Sequence, residues 1–211
     1  ESIYGKHVRS SDMLLTGLIY GCTAVSLLIL VGILGYTFVR GIPHVTWSFL
    51  STASSAVKGT FGILGNIINT IYIVVITLLI ATPIGVGSAV YLNEYAKPGK
   101  IVRMIEFTTE TLSGIPSIIF GLFGMVFFGN TIGLGYSILT GSLTLTLMIL
   151  PLITRTTQEA LKTVPDSYRH GALGIGATKW YMIRTILLPS AMPGIVTGVI
   201  LAIGRIVGES A

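Results

Sequence analysis

Three long uncharged stretches divide this chain. Residues 13–39, 59–93 and 111–154 contain no Asp, Glu, Lys or Arg. About 20 apolar residues in an α-helix cross the ~30 Å hydrocarbon core of a bilayer, so each stretch predicts at least one membrane-crossing helix. The first is a span over 13–39. The second is best placed over 65–92, with Pro83 as a predicted kink. The third is too long for one helix and splits at "GNTIGLGYS", residues 129–137, where an Asn and three Gly mark a turn. It yields spans over 115–128 and 138–154. A fifth span begins near Pro189 and runs to the end of the chain. Segments 40–64, 93–113 and 155–188 connect them. The expected fold class is all-α, a polytopic transmembrane bundle with five spans.

Composition agrees. The 211 residues are 52% hydrophobic and 10% charged, with mean hydropathy +0.85; soluble domains average about 25% charged. The net charge of +5 raises nucleic acid as a partner, but the bases lie between apolar blocks and are read as topology signals, with the lipid bilayer as partner. Lys6 and Arg9 precede the first span, Lys97, Lys100 and Arg103 follow the second, and Arg155, Lys162, Arg169, Lys179 and Arg184 follow the fourth. Arg40 and Lys58 lie on the opposite side. Basic loops stay inside, so the N-terminus and the 155–188 loop are expected in the cytoplasm. Trp47 and Phe49 then fall at the outer membrane edge. Glu94, Glu106 and Glu110 are expected to form a solvated face with Lys97, Lys100 and Arg103. Cys22 is the single cysteine, and His7, His44 and His170 lack metal-ligand spacing, so no metal or cofactor is expected. The chain starts at Glu1 without an initiator methionine, so further residues are expected upstream.

The loop "EALKTVPDSYRHGALGIGATKWYMIRTILLP", residues 159–189, carries the most local information. Pro165 and Asp166 suit a helix start. The helix should run about nine residues and stop at Gly174 and Gly176. Thr178 suits the N-cap of a second helix over 179–188. Two short helices with a Gly turn make either a knob that fits a partner's groove or a hairpin on the membrane surface.

In the fifth span, Ala191, Gly194, Gly198, Ala202, Arg205 and Glu209 fall within about 80° of one another at 100° per residue. Val196, Ile200, Ile203 and Val207 lie on the other side. A small-residue stripe permits close helix approach or leaves room for a path. Arg205 lies ~24 Å beyond Pro189 at 1.5 Å per residue, past the midplane. An arginine there costs at least ~2.5 kcal/mol and must face protein or water. Two roles fit the pair: a buried Arg205–Glu209 ion pair, or an anion path in which the guanidinium fork grips oxyanions. Ser117, after Pro116, is either ordinary helix initiation or an anion-attracting helix start. A membrane-embedded enzyme finds no support: the spans hold no Asp, no His pair and no metal motif.

Ala172, Gly176, Ile186, Leu188 and Pro189 resemble the loop motif of permease subunits of ATP-binding-cassette importers: Glu-Ala-Ala, three residues, Gly, nine residues, Ile, one residue, Leu-Pro. His170 and Gly171 depart from it, so the family acid and its contact with an ATPase do not carry over. "TPIGVGSAVYLNEYA" (82–96), "LSGIPSIIFGLFG" (112–124) and "MPGIVTGVILAIGRIVGESA" (192–211) are similar to the A-type subunit of phosphate-specific permeases, over residues 62–211. The C-type sister subunit and permeases for sulfate or molybdate are the neighbouring alternatives, and a non-transporting scaffold is a different class.

The resemblance implies one type I transmembrane domain over 1–211 of a multi-pass prokaryotic inner-membrane protein, and a permease subunit rather than an enzyme. It implies an ATP-driven phosphate importer with a second permease subunit, a cytoplasmic ATPase dimer holding ATP and Mg, and an extracytoplasmic phosphate-binding protein. No Gly-x4-Gly-Lys-Ser/Thr loop occurs in the chain. ATPase coupling is expected at Asp166, Ser167, Tyr168, Arg169, His170, Gly171, Ala172, Leu173, Gly174, Gly176 and Thr178. The substrate path is expected at Arg205, Glu209 and Ser117. Members continue into a sixth span, so a further C-terminal segment is expected.

Overall fold

The computed structural model describes residues 10–55, 59–97 and 99–210. Lys6, His7, Arg9 and Lys58, used above for topology and metal spacing, lie outside them. The chain divides into two compact units, residues 1–65 and 66–211.

The first unit is dominated by α1 (Ser10–Gly41), a single helix of 32 residues. Its apolar side chains stand exposed along its length, Leu14 by 73% and Phe38 by 60%, which in water would be untenable and in lipid is the favoured arrangement. The hydroxyls of Thr23, Ser26 and Thr37 donate to carbonyls one turn back, on Ile19, Cys22 and Ile33, at 2.8–2.9 Å. Polar groups inside the span are thus satisfied by the helix itself, as lipid requires. Thr46 then caps the short α2 (Trp47–Ser51), its hydroxyl accepting from the Phe49 N–H at 3.2 Å. Trp47, expected at the membrane edge, is 82% exposed. A two-stranded antiparallel ribbon follows, β1 (Ala53–Ser55) against β2 (Thr60–Ile63), with Ala53 opposite Ile63. The apolar-run reading did not anticipate this ribbon, because three- and four-residue strands leave no periodic signal.

The second unit is a helical bundle. It contains α3 (Leu64–Val90), with a π-helical last turn over Tyr91–Tyr95, and α4 (Lys100–Ser113). Next come α5 (Ser117–Gly124), continued by a π-helix over Met125–Thr131, and α6 (Ile138–Lys162). The chain closes with α7 (Asp166–Gly174), α8 (Lys179–Met182), a π-helical turn over Ile183–Leu187 and α9 (Leu188–Ser210). The predicted break at 129–137 is present, with Gly133 and Gly135 at positive φ. Ser137 caps α6 by accepting from the Thr140 N–H at 3.2 Å.

Among the described residues four helices are long and apolar enough to cross a membrane. A fifth crossing is available from α4 and α5 taken together, which meet at 99°. Three expectations are corrected here. The 93–113 connector is largely helix α4, because Gly114-Ile115-Pro116 interrupts the backbone only after it. The fourth span does not end at residue 154 but runs eight residues further as α6. The 179–188 helix is not separate: Lys179–Ser210 is continuous, and the turn before Pro189, Ile183–Leu187, is π-helical, its ladder shifted where the proline has no N–H to give.

Close packing of α6 on α9 organises the bundle. The buried face of α9 is Ala191, Ile195, Gly198, Ala202 and Ile206. A Cβ added at Gly194 would stand 2.5 Å from the Ala160 Cβ, and one at Gly198 would collide with the Thr156 hydroxyl. The small-residue stripe of the fifth span is therefore a helix–helix contact within this chain. One apolar cluster, including Ile149, Ile153, Phe120 and Ile206, fills mid-bundle. A second, including Leu161, Val164, Ala172, Met182 and Ile183, lies beneath α7.

Candidate functional site

The local chemistry of α7 follows its sequence. Pro165 takes the N-cap rather than the first helical position, at φ −57 and ψ 140. The helix ends as Ile175 N–H donates to Gly171 O, Gly176 N–H to Leu173 O and Ala177 N–H to Ala172 O, at 3.2, 3.0 and 3.1 Å. Gly176 has φ +85, the left-handed turn that such a helix end requires and that residues with a Cβ resist. Thr178 caps α8 as expected, accepting from the Tyr181 N–H at 3.3 Å.

The coupling residues fall on two faces. Asp166, Ser167, Tyr168, His170, Gly171, Leu173, Gly174, Gly176 and Thr178 are exposed. With them stand Ile175, 86% exposed, and Trp180, 62% exposed. An apolar-aromatic surface at the tip of a helical knob is thus unpartnered among the described residues. Ala172 and Arg169, placed on the coupling face by sequence, turn inward instead. Ala172 is buried in the cluster beneath α7.

Arg169 is the most connected side chain at this end. Its Nε and Nη2 donate to Glu94 Oε1 at 3.2 and 3.0 Å. Nη2 also donates to Leu161 O and Nη1 to Val164 O, at 3.0 and 2.9 Å. Nη1 reaches Asp166 Oδ1 at 3.0 Å. The Asn93 amide donates to the same Glu94 oxygen at 2.7 Å. Side-chain exposures of 17% for Arg169 and 5% for Glu94 place this pair out of water. Glu94 was expected in a solvated charged face and is not there. The available signal was its position as the first charge after the 59–93 run, on a helix whose end must pack under α7. Lys179 lies over the Tyr95 ring at 5.0 Å from its centroid, a second tie between the knob and the end of α3. Glu110 is solvated as expected, but its partner is Arg155, at 3.5 Å with both side chains more than half exposed, rather than Lys97, Lys100 or Arg103.

The three path residues are not brought together. Arg205 is partly exposed on α9 and Glu209 is exposed one turn further. Neither has an ion pair or hydrogen bond among the described residues, so the i,i+4 pair is not formed here. Glu209 lines a cavity of about 540 Å³ with Asn69, Asn130, Tyr136, Ser137 and Thr144. That cavity includes neither Arg205 nor Ser117. Ser117 opens α5, half-buried, behind the N-cap Pro116. A second groove of about 450 Å³ runs beside the α6–α9 contact, lined by Thr156, Glu159, Ser190 and Thr197 among others.

Four or five candidate crossings along the chain, an arginine within the last of them and a projecting two-helix knob fit a multi-pass membrane permease. Residues 81–211 match the family described as binding-protein-dependent transport system inner membrane component, and the chain belongs to that family. It is an ABC transporter permease subunit. It is 41% identical over 96% of its length to a probable ABC transporter permease protein, YqgI, of Bacillus subtilis, covering 69% of that protein. It is 34% identical over 96% of its length to the phosphate transport system permease protein PstA of Haemophilus influenzae, covering 72% of it. The fold is similar to a chain of the inward-facing MetNI methionine ABC transporter, with TM-score 0.57, 26% identity, and coverage of 71% of this chain and 69% of that one. The chain spans between 30% and 72% of the length of these and other curated relatives it matches.

Proposed function

We propose that this chain is a permease subunit of an ATP-driven inorganic phosphate importer, supplying half of the translocation path. The observation that carries the coupling role is the outward face of α7 and its turn, Tyr168, Leu173 and Ile175, exposed by 52, 49 and 86% on a knob anchored from behind. Such a face suits the groove of a separate cytoplasmic ATPase, a dimer of which would hold ATP and Mg. The side bearing α7 is then cytoplasmic, and the N-terminus lies on that side. A second permease subunit completes the path, and an extracytoplasmic phosphate-binding protein delivers the cargo. The several similar phosphate permeases named PstA support phosphate as that cargo.

Arg205 supplies the charge for the path. Its guanidinium offers paired donors to phosphate oxygens. Glu209 follows one turn later without bonding it, lowering the net positive field so that bound phosphate can leave. Ser117 offers its hydroxyl and the first free N–H groups of α5. Alternating access then proceeds by rigid-body rocking about a fixed site.

Uptake of labelled inorganic phosphate into vesicles containing the partner proteins tests this reading. Wild type should accumulate phosphate with ATP, and Arg205→Ala at equal membrane level should lose most of it. Inhibition by sulfate or molybdate at equal concentration would assign the chain to another oxyanion. Failure to capture an ATPase through the 159–189 segment would mark it as a scaffold.

A further inference from the structure

The Arg169–Glu94 pair joins elements 75 residues apart in sequence, the first turns of α7 and the last turn of α3. We propose that Glu94 is a positioning residue that straps α7 to α3, carrying force on the knob into the membrane bundle; this rests on α7 as the ATPase docking element. One carboxylate oxygen, Glu94 Oε1, accepts both guanidinium bonds and the Asn93 amide. Arg169 directs its other N–H groups to Leu161 O, in the last turn of α6, to Val164 O just beyond it, and to Asp166 Oδ1. A single planar guanidinium therefore holds the ends of α3 and α6 and the start of α7.

Both covalent links of α7 are short turns. Thr163 to Pro165 lies before it, and Ile175 to Thr178, with Gly176 at positive φ, lies after it. Beyond these links α7 is held by the strap, by Ala172 in the cluster beneath it, and by packing on α8 and the π-helical turn that follows. The strap resists pivoting because opening it would leave a carboxylate buried without its cation, which is far less favourable than moving the joined elements together. Lys179 over Tyr95 holds the start of the following helix against the same end of α3. A push on α7 therefore displaces α3 and α6 along with it, as one packed body.

The experiment uses the complete transporter with its partner subunits in proteoliposomes, following ATP hydrolysis and uptake of labelled inorganic phosphate. Glu94→Gln should retain the co-purifying ATPase and its hydrolysis, while phosphate moved per ATP falls on the order of tenfold. In a Cys22→Ser background, joining Glu94→Cys to Arg169→Cys with a short bifunctional thiol reagent should restore that ratio relative to the unjoined double variant. Unchanged phosphate per ATP in Glu94→Gln overturns the strap. So does a loss of hydrolysis and ATPase capture in parallel with uptake, or a joined variant that stays uncoupled. Hydrogen exchange gives a cargo-independent reading: on adding ATP and vanadate, residues 91–95 and 166–174 should change protection together in wild type, and only 166–174 in Glu94→Gln. No response of 91–95 in wild type overturns the strap whatever is transported, whereas coordinated exchange without phosphate uptake overturns only the phosphate reading.

Discussion

Two glutamates of this chain show how burial sets the worth of an ion pair. Glu94 meets Arg169 at 3.0 Å with side chains 5% and 17% exposed, and Glu110 meets Arg155 at 3.5 Å with side chains 70% and 56% exposed. Removing one partner of a buried pair leaves an uncompensated charge and costs ~3–5 kcal/mol. An exposed pair contributes about 0–1 kcal/mol because water screens both ends. Thermal unfolding in detergent should therefore show Glu94→Gln melting well below wild type and Glu110→Gln close to it. Equal shifts would mean that the Glu94 pair is not held out of water. Residue types alone did not separate the two: both are acids beside basic residues, and only the packing of α7 over the end of α3 distinguishes them.

At the scale of elements, the α6–α9 contact and the α7–α8 turn depend on particular glycines. Gly198 sits where any Cβ would collide with Thr156. Gly198→Leu should overpack the contact and destabilise the protein by ~1–3 kcal/mol, read as a lower melting temperature and reduced membrane level. Gly176, at φ +85, has open space around it but a conformation that L residues adopt only at a cost of ~1–2 kcal/mol. Gly176→Val should therefore spare the α6–α9 packing and loosen the knob, shown by weaker ATPase co-purification at equal membrane level with a melting temperature lowered by only a few degrees. A wild-type level of captured ATPase would count against the turn as the element that presents α7. The amphipathic pattern of α4 was readable from residues, yet the reading of 93–113 as a connector missed it. Its charges obscured a helix whose apolar side is Ile101, Ile105 and Leu112.

For the whole molecule, the exposed apolar surface is the main physical fact. The spans bury little against one another: 22%, 44% and 28% of the apolar windows in α3, α6 and the 179–210 helix. Lipid and partner subunits must cover the remainder, because such a surface in water would aggregate. The knob surface is different, since it lies beyond the spans. Leu173→Asp together with Ile175→Asp should leave the protein in the membrane and abolish ATPase capture, measured by co-purification at equal membrane level. Retained capture would remove this face as the docking surface.

Uncharged runs, their breaks and the helix signals at Pro165, Gly176 and Thr178 were determined by sequence, because hydrophobic length and backbone preference act locally. So was the similarity of the loop to its family's motif. Tertiary structure decided the rest. It turned the small-residue stripe toward α6, left Arg205 and Glu209 unpaired among the described residues, and gave Glu94 an internal partner 75 positions away. Those outcomes depend on which helix faces meet, which no local pattern contains. The charge at Glu94 was visible in the chain from the outset; its partner existed only once α7 had folded back over α3.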